Sequence, residues 1–316
     1  MALEGATSPV AAQMVPKDSR TRVPMVRRQK KRRRVLGMTV GAAIIAEKKQ
    51  AIVLVADRLW TDENDYSGES DENKKRELGH GWHCLFEGSW TVANIASRLI
   101  RAELKKRKDD GPLSAGVIED IVQRVVIRMR KDAAARAGKK ASTFELDLGL
   151  LVAGFDEGND AFVFEVDGNG EVEEEVPSGY GQIGTGAVAA YHRLLRLKPR
   201  KQDTLARAIY NAVDAKHHAE GSRSVGARTD VWVMTAHMRQ QRVPLSTKIR
   251  VQPRKVPLGL VRDIRLAARA LNRSAFDTSS TSKDKTLITP EQPPEDWRAR
   301  LEGYAADVLA GPPSIA

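Results

Sequence analysis

Residues 39–58 read Thr-Val-Gly-Ala-Ala-Ile-Ile-Ala-Glu-Lys-Lys-Gln-Ala-Ile-Val-Leu-Val-Ala-Asp-Arg. Two apolar runs rich in β-forming residues flank a short polar turn, which predicts strands at about 39–46 and 51–58 paired as a β-hairpin. The second run ends in Asp57-Arg58, so a carboxylate is expected at the end of a buried strand. This hairpin is the starting point of the predicted fold.

The segments after the hairpin alternate between strands and pairs of helices. Apolar residues recur at helical spacing in two consecutive segments, then at strand length, and then again in two helical segments. This order predicts an α+β fold built as a layered sandwich. The predicted helices are Ser89–Lys108, Ser114–Ala137, Ala187–Leu197 and Asp203–Ala219, and the further strands lie at about 77–86, 146–153, 161–166, 171–176 and 230–234.

The chain divides into three predicted parts. Residues 1–36 lack hydrophobic periodicity and form a disordered basic tail or a propeptide-like extension. Residues 37–240 form the sandwich domain. Residues 241–316 form a C-terminal extension that is partly helical and partly flexible, because its Ser/Thr/Pro-rich middle separates two short segments with helical spacing.

The net charge of +11 is concentrated in the N-terminal tail, where residues 1–35 hold ten basic residues against two acidic ones. The single cysteine, Cys84, excludes an intrachain disulfide and fits a reducing cytoplasm. No apolar run reaches transmembrane length, so no membrane contact is expected. The basic run followed by apolar residues 35–46 also resembles an export signal, but a hairpin strand is the better use of that apolar stretch.

Seven short motifs together indicate a family. Each is a common strand end or glycine turn, and their order and spacing carry the signal. The chain resembles the proteasome-type β-subunits of the Ntn-hydrolase class, over about residues 37–236. The resemblance implies a four-layer αββα sandwich and a threonine-type endopeptidase. The motifs are Thr39-Val40-Gly41, Val53–Arg58, Lys74–Leu78, Phe86-Glu87-Gly88, Leu151–Asp156, Val166–Gly170 and Ile183–Ala187.

The resemblance implies a catalytic role for residues in these motifs. Thr39 would be the nucleophile, and its own α-amino group would be the base. Lys74, with Lys75 as the alternative, would lower the pKa of the hydroxyl, and Asp57 would hold that lysine. The backbone N–H of Gly88 would stabilise the oxyanion.

Two further positions complete the implied site. Ser224, or Glu220 just before it, would support the threonine amine. No cofactor is expected. No metal is expected either, because the histidines near residues 80–83 and 217–218 lack zinc-ligand spacing.

The chain departs from the family pattern at the nucleophile. Gly37 stands where the family has its threonine, and Thr39 lies two residues later, which keeps its side chain on the same strand face. Exposing Thr39 as an N-terminus requires removal of every residue through Met38, by autolysis or by loss of a start methionine at that position. Two interpretations therefore remain: a peptide hydrolase, or a catalytically inactive structural or assembly subunit of the same fold.

The resemblance also implies partners. Family members stack as rings, so a homo-oligomer is expected, as a ring or an open spiral, with a peptide or unfolded protein as substrate. An ATP-dependent unfoldase is a candidate partner. Arg27–Arg34 offers a weaker alternative, nucleic-acid binding, which is not favoured because no aromatic residue interleaves the basic run for base stacking.

Overall fold

The computed structural model describes residues 39–61, 67–69, 74–107, 113–174, 178–222, 225–236, 254–276 and 292–310. The basic tail with Arg27–Arg34, as well as Gly37, Met38 and Ser224, lies outside the described residues. The strands are β1 (Gly41–Ala46), β2 (Ala51–Asp57), β3 (Leu59–Thr61), β4 (Ser67–Glu69), β5 (Lys75–Gly79), β6 (Trp82–Gly88), β7 (Leu148–Phe155), β8 (Ala161–Val166), β9 (Val172–Glu174), β10 (Tyr180–Ile183), β11 (Thr229–Thr235) and β12 (Arg254–Lys255). The helices are α1 (Trp90–Lys105), α2 (Ala115–Arg136), α3 (Ala187–Leu197), α4 (Leu205–Ala219), α5 (Leu258–Phe276) and α6 (Trp297–Ala310).

Two five-stranded antiparallel sheets form the centre of the molecule. The first has the strand order β10-β1-β2-β11-β12 and the second the order β5-β6-β7-β8-β9. The predicted hairpin is confirmed, with β1 and β2 paired from Gly41 opposite Ala56 to Ala46 opposite Ala51. The short strands β3 and β4 form a separate two-stranded ribbon, and β4 lies within residues 61–75, which the polar sequence pattern predicts as a loop.

Three apolar layers hold the sheets and helices together. Alternate residues of β1 and β2 pack outward against α3 and α4, and the intervening residues pack inward against the second sheet. The outer face of the second sheet packs against α1 and α2. Because both central strands are buried on both faces, their sequences are continuous apolar runs rather than alternating ones. The result is the predicted α+β architecture, an αββα sandwich.

Helices α1 and α4 begin at residues whose side chains cap the first turn. The hydroxyl of Ser89 accepts a hydrogen bond from the backbone N–H of Val92 at the start of α1. Thr204 does the same for Arg207 at the start of α4. The apolar stripes of these two helices then face their sheets, as the spacing of apolar residues predicts.

The helices α5 and α6 lie against α4 on the outer side of the first sheet. Apolar residues of both helices share one core with α4, among them Ile264 and Leu301. An ion pair between Arg265 of α5 and Glu220, just after α4, adds a polar contact of 2.7 Å. None of the described helices has both the length and the apolar character that crossing a membrane requires.

Candidate active site

Thr39 and Asp57 meet because the first two strands are antiparallel neighbours. Thr39 lies just before β1 and Asp57 ends β2, and the backbone N–H of Asp57 donates to the carbonyl of Val40 at 3.2 Å. The hydroxyl of Thr39 donates to Oδ1 of Asp57 at 2.7 Å. Both residues are buried, with 2% and 1% of their surface exposed. Hairpin register alone therefore brings a hydroxyl and a carboxylate together inside the sandwich.

Lys74 reaches this pair from the second sheet. It stands just before β5, and its ammonium group donates to Oγ1 of Thr39 and, at 2.8 Å, to Oδ1 of Asp57. Burial of the side chain lowers the pKa of Lys74, and the charge and hydrogen bond of Asp57 oppose that change. The three side chains form one buried hydrogen-bonded cluster in which a cation lies directly beside the hydroxyl.

Asp57 accepts hydrogen bonds at both of its carboxylate oxygens. Its Oδ1 accepts hydrogen bonds from Thr39, Lys74 and the backbone N–H of Val40, the last at 3.2 Å. Its Oδ2 accepts one from the backbone N–H of Gly226 at 2.9 Å. Donors on both oxygens fix the orientation of the carboxylate.

The backbone of Thr39 is held by the turn between β10 and α3. Its N–H donates to Oγ1 of Thr185 at 3.2 Å, and its carbonyl accepts from the N–H of Gly186 at 3.0 Å. Gly184 has a φ of +99°, and a Cβ there would collide with the carbonyl of Thr39. The sequence interpretation missed Thr185 as a site residue. The Gly184-Thr185-Gly186 turn is visible in the sequence, but its place beside Thr39 depends on the pairing of β10 with β1, which the sequence pattern does not show.

A second polar cluster lies behind Asp57. Lys216 of α4 is fully buried, and its ammonium group donates to the carbonyls of Gly226 and Ala227 at 2.6 and 3.2 Å and to Oε1 of Glu220 at 2.7 Å. Burial lowers the pKa of Lys216, while the charge of Glu220 opposes that change. The sequence interpretation did not identify Lys216.

Glu220 forms the outer end of this second cluster. Its Oε2 accepts a hydrogen bond from Arg265 of α5 at 2.7 Å and lies 2.9 Å from Nδ1 of His217. Burial by itself raises the pKa of Glu220, but its contacts with His217, Lys216 and Arg265 outweigh burial and hold the pKa at about 2. The structure thus places Glu220 against Lys216 and Arg265, whereas the resemblance implies a place near the threonine amine.

The remaining predicted site residues have contacts outside the Thr39, Lys74 and Asp57 cluster. Gly88 ends β6 with a φ of +83°, and a Cβ there would overlap the carbonyl of Asp147, so the turn into α1 requires glycine. Lys75 directs its ammonium group over the ring of Trp232, 5.8 Å from the centroid. Burial raises the pKa of the Cys84 thiol to about 12, which makes it a poor nucleophile. The described part of the chain contains no group of three or more side chains able to hold a metal ion.

Comparison with known proteins identifies a matching family and a solved structure of similar fold. The family model described as "Proteasome subunit" matches residues 38–233. A solved structure described as an Anbu (Gly-1) mutant from Hyphomicrobium sp. strain MC1 is similar, with a TM-score of 0.56 and 17% sequence identity, over 78% of this chain and 100% of that chain. At that identity the likeness concerns the fold alone. No curated protein sequence matches this chain.

Proposed function

The chain belongs to the proteasome subunit family, and from this premise we propose that it is an N-terminal-threonine hydrolase that cleaves peptides. One observation carries the proposal. The hydroxyl of Thr39, the second residue of the family match, lies in a buried hydrogen-bonded cluster with Lys74 and Asp57. A hydroxyl beside a buried cation is easier to deprotonate, and the carboxylate keeps that cation in place.

The reaction needs a base that the unprocessed chain lacks. In the intact chain the nitrogen of Thr39 belongs to a peptide bond and donates to Thr185. Once the bond after Met38 is broken, the same nitrogen becomes an α-amino group, whose pKa in simple peptides is about 7.7–8.0. In its neutral form it takes the proton of the Thr39 hydroxyl as the oxygen attacks a substrate carbonyl.

Removal of residues 1–38 uses the same hydroxyl. Oγ1 of Thr39 attacks the carbonyl carbon of Met38, the C–N bond breaks, and the nitrogen takes up the hydroxyl proton, which leaves an ester. Water then hydrolyses the ester to a carboxylate on Met38 and a free hydroxyl and amine on Thr39. Lys74 contacts Oγ1, and its ammonium group stabilises the negative charge that develops on that oxygen as it attacks. If translation starts at Met38, removal of that methionine gives the same product.

The proposal extends to substrate and assembly. The substrate is a peptide or an unfolded chain, and the N–H of Gly88 at the end of β6 is the proposed oxyanion donor. Residues 1–36 act as a propeptide-like extension. The subunit assembles as a homo-oligomer, a ring or an open spiral, which an ATP-dependent unfoldase supplies in the cytoplasm. The assembly of proteasome-family subunits into oligomers and the single buried cysteine support these statements.

Intact-mass analysis and covalent labelling test the proposal. We expect purified protein to contain a chain that begins at Thr39 and gains one adduct with a peptide epoxyketone or a β-lactone. The adduct should disappear in Thr39→Ala and persist in Thr143→Ala, a matched change at an exposed threonine whose hydroxyl contacts Lys140. A stable chain that begins at Met1 and retains full peptidase activity would contradict the mechanism.

A non-catalytic subunit of the same fold is the second candidate. Met38 stands before Thr39, where family members that process themselves have glycine, and Gly37 occupies the usual nucleophile position. Such a subunit would assemble normally, keep residues 1–38 and take up no adduct. Labelling of Thr39 in the wild-type protein would exclude this candidate.

A further inference from the structure

Lys216 is an unusual residue for its place in the fold. It lies on the face of α4 that packs on the first sheet, where its neighbours along the helix are Ala212, Val213 and Ala219, and none of its surface is exposed. A buried ammonium group carries a large desolvation cost, and a methionine would fill the same space without it. The three acceptors around Nζ account for all three of its N–H bonds.

Two of those acceptors belong to the loop that holds the rear of Asp57. Lys216 donates to the carbonyls of Gly226 and Ala227, and the N–H of the same Gly226 donates to Oδ2 of Asp57 at 2.9 Å. On its other side Gly226 lies against Leu59, and a Cβ on Gly226 would stand 2.8 Å from the Cβ of Leu59. The loop therefore lies between Leu59 and the ammonium group of Lys216.

The two oxygens of Asp57 have different partners. Thr39 and Lys74 both use Oδ1, whereas the described donor to Oδ2 is Gly226. A carboxylate that keeps its Oδ2 bond cannot rotate about its terminal bond without losing that bond. The position of Gly226 therefore sets the direction in which Oδ1 faces the hydroxyl and Lys74.

We infer that Lys216 is a positioning residue for the Thr39 site: it holds Gly226, and through Gly226 it orients Asp57 toward Thr39 and Lys74. The inference rests on the proposed function. Glu220 holds Lys216 in turn, and Arg265 holds Glu220, so α5 of the C-terminal part stabilises the site from outside. Helix α5 thereby supports the reaction through Glu220 and Lys216 and not through a described contact with Thr39, Lys74 or Asp57.

The charged groups around Lys216 come from three elements. Glu220 and His217 lie at the end of α4, Arg265 extends from α5, and Asp57 faces Lys216 from the end of β2. Arg269 of α5 contacts His217 at 3.3 Å. Loss of the Lys216 charge alone would stabilise the neighbouring cation Lys74. Loss of its positioning would loosen the Lys74–Asp57 pair, which destabilises the same cation.

The test compares Lys216→Met with Arg193→Met in the full processed enzyme. Arg193 pairs with the buried Asp214 of α4 at 2.7 Å, so Arg193→Met also removes a buried ion pair from this helix layer, away from Thr39. We expect Lys216→Met to lower kcat about tenfold, the size of one lost buried hydrogen bond, with little change in KM. On the alkaline side of the pH profile, the activity of Lys216→Met should begin to fall at a lower pH than that of the wild type. Arg193→Met should lose stability and keep kcat.

Two further measurements keep the inference testable if Lys216→Met folds poorly or if the enzyme shows no activity. Glu220→Gln leaves Lys216 in place without its anion, and we expect its kcat to fall about threefold, less than for loss of the hydrogen bonds themselves. A crystal structure of Lys216→Met, or of Glu220→Gln where the former does not fold, reports on Asp57 without any activity. We expect Oδ2 to move out of hydrogen-bond range of the Gly226 N–H in Lys216→Met and this bond to lengthen in Glu220→Gln.

Several results would overturn the inference. They are an unchanged 2.9 Å bond from Gly226 to Asp57, a kcat equal to that of Arg193→Met, or a basic limb that moves to higher pH. Failure of the proposed function looks different, because wild-type protein would then take up no adduct on Thr39. The crystal structure of the variant would still show whether Lys216 positions Asp57.

Discussion

Asp57 has a buried lysine on each of its two sides, and the two lysines contact different kinds of group. At the front, the ammonium group of Lys74 contacts a carboxylate oxygen and the hydroxyl of Thr39, an oxygen that changes charge in the proposed reaction. At the rear, Lys216 contacts two backbone carbonyls and Glu220, none of which reacts. Burial lowers the pKa of both lysines. Because both lysines are buried, the difference in their roles comes from the groups that accept their hydrogen bonds.

The comparison makes Asp57 the residue that joins both sides, and its loss should have the largest effect. Asp57→Asn removes the anion that stabilises Lys74, so we expect peptidase activity to fall about 10³-fold. The free energy of unfolding should fall by about 3–5 kcal/mol, because the change leaves a buried cation without its partner. Kinetics with a peptide substrate and urea denaturation measure the two effects.

The control for this change is Asp160→Asn. Asp160 pairs with Lys49 at 2.8 Å, and the two side chains are 44% and 33% exposed. A pair that is this accessible contributes about 0–1 kcal/mol, so stability and activity should stay near those of the wild type. Equal stability of the Asp57→Asn and Asp160→Asn proteins would show that Asp57 does not join two buried clusters.

Removing Lys74 tests the front alone. Lys74→Met takes the cation from the hydroxyl but leaves Asp57 with donors from Thr39, Val40 and Gly226. We expect activity to fall about 10²-fold to 10³-fold, as for loss of one oriented electrostatic group, with a smaller loss of stability than in Asp57→Asn.

Lys75→Met is the matched control for Lys74→Met. Lys75 is the alternative that the sequence leaves open, and its ammonium group lies over Trp232. The Lys75→Met protein should keep most of its activity. A larger loss of activity in Lys75→Met than in Lys74→Met would transfer the catalytic role to Lys75.

The front of the site could be predicted from sequence because it depends on local rules. Strand periodicity and hairpin register place Thr39 opposite the end of β2, and a carboxylate at a strand end is visible in the sequence. Lys74 followed from its place in the order of family motifs.

The rear of the site could not be predicted in the same way. Lys216 lies in an amphipathic helix, where a lysine ordinarily belongs to the solvated face. Its burial depends on how the loop at residues 225–228 packs, and helical spacing holds no information about that loop. Thr185 was missed for a related reason, since its contact with Thr39 depends on β10 pairing with β1 across 146 residues of chain.

The same distinction applies to the fold. The layered α+β sandwich followed from the order of apolar runs, and helices α1 and α2 lie within three residues of their predicted ends. The sequence pattern also indicates helices at about 261–271 and 297–309 but says nothing of their partner. In the structure α5 and α6 share an apolar core with α4. An amphipathic pattern reports that a face is buried and leaves open which surface covers it.

The pH dependence of activity sharpens the comparison between the two lysines. Burial lowers the pKa of Lys74 below the ordinary lysine value of 10.5, with Asp57 opposing the change. Because the charged form assists the hydroxyl and exists below the pKa, kcat should fall as pH rises through that lowered value, toward a tenfold loss per pH unit. Steady-state kinetics across the alkaline range measure this decline of kcat. A kcat that is still constant at pH 10.5 would contradict the assigned role of Lys74.

The smallest effect concerns the rear of the site and acid stability. Contacts with His217, Lys216 and Arg265 outweigh burial and hold the pKa of Glu220 at about 2, below the ordinary glutamate value of 4.5. A depressed carboxyl pKa contributes stability that is present above pH 4.5 and is lost as pH falls toward 2. Glu220→Gln should therefore lower the Tm by about 2–4 °C near neutral pH and flatten its decline in acid.

Glu103→Gln is the matched control for this prediction. Glu103 lies on α1, on the opposite outer layer, where its hydrogen bond with Lys106 lowers its pKa at the surface. Solvent and salt screen that contact, so its loss should leave the dependence of Tm on pH unchanged in moderate salt. Thermal unfolding followed by circular dichroism from neutral to acidic pH separates the two. If both variants keep the wild-type profile, Glu220 does not stabilise the rear cluster, and Lys216 is held by Gly226 and Ala227 alone.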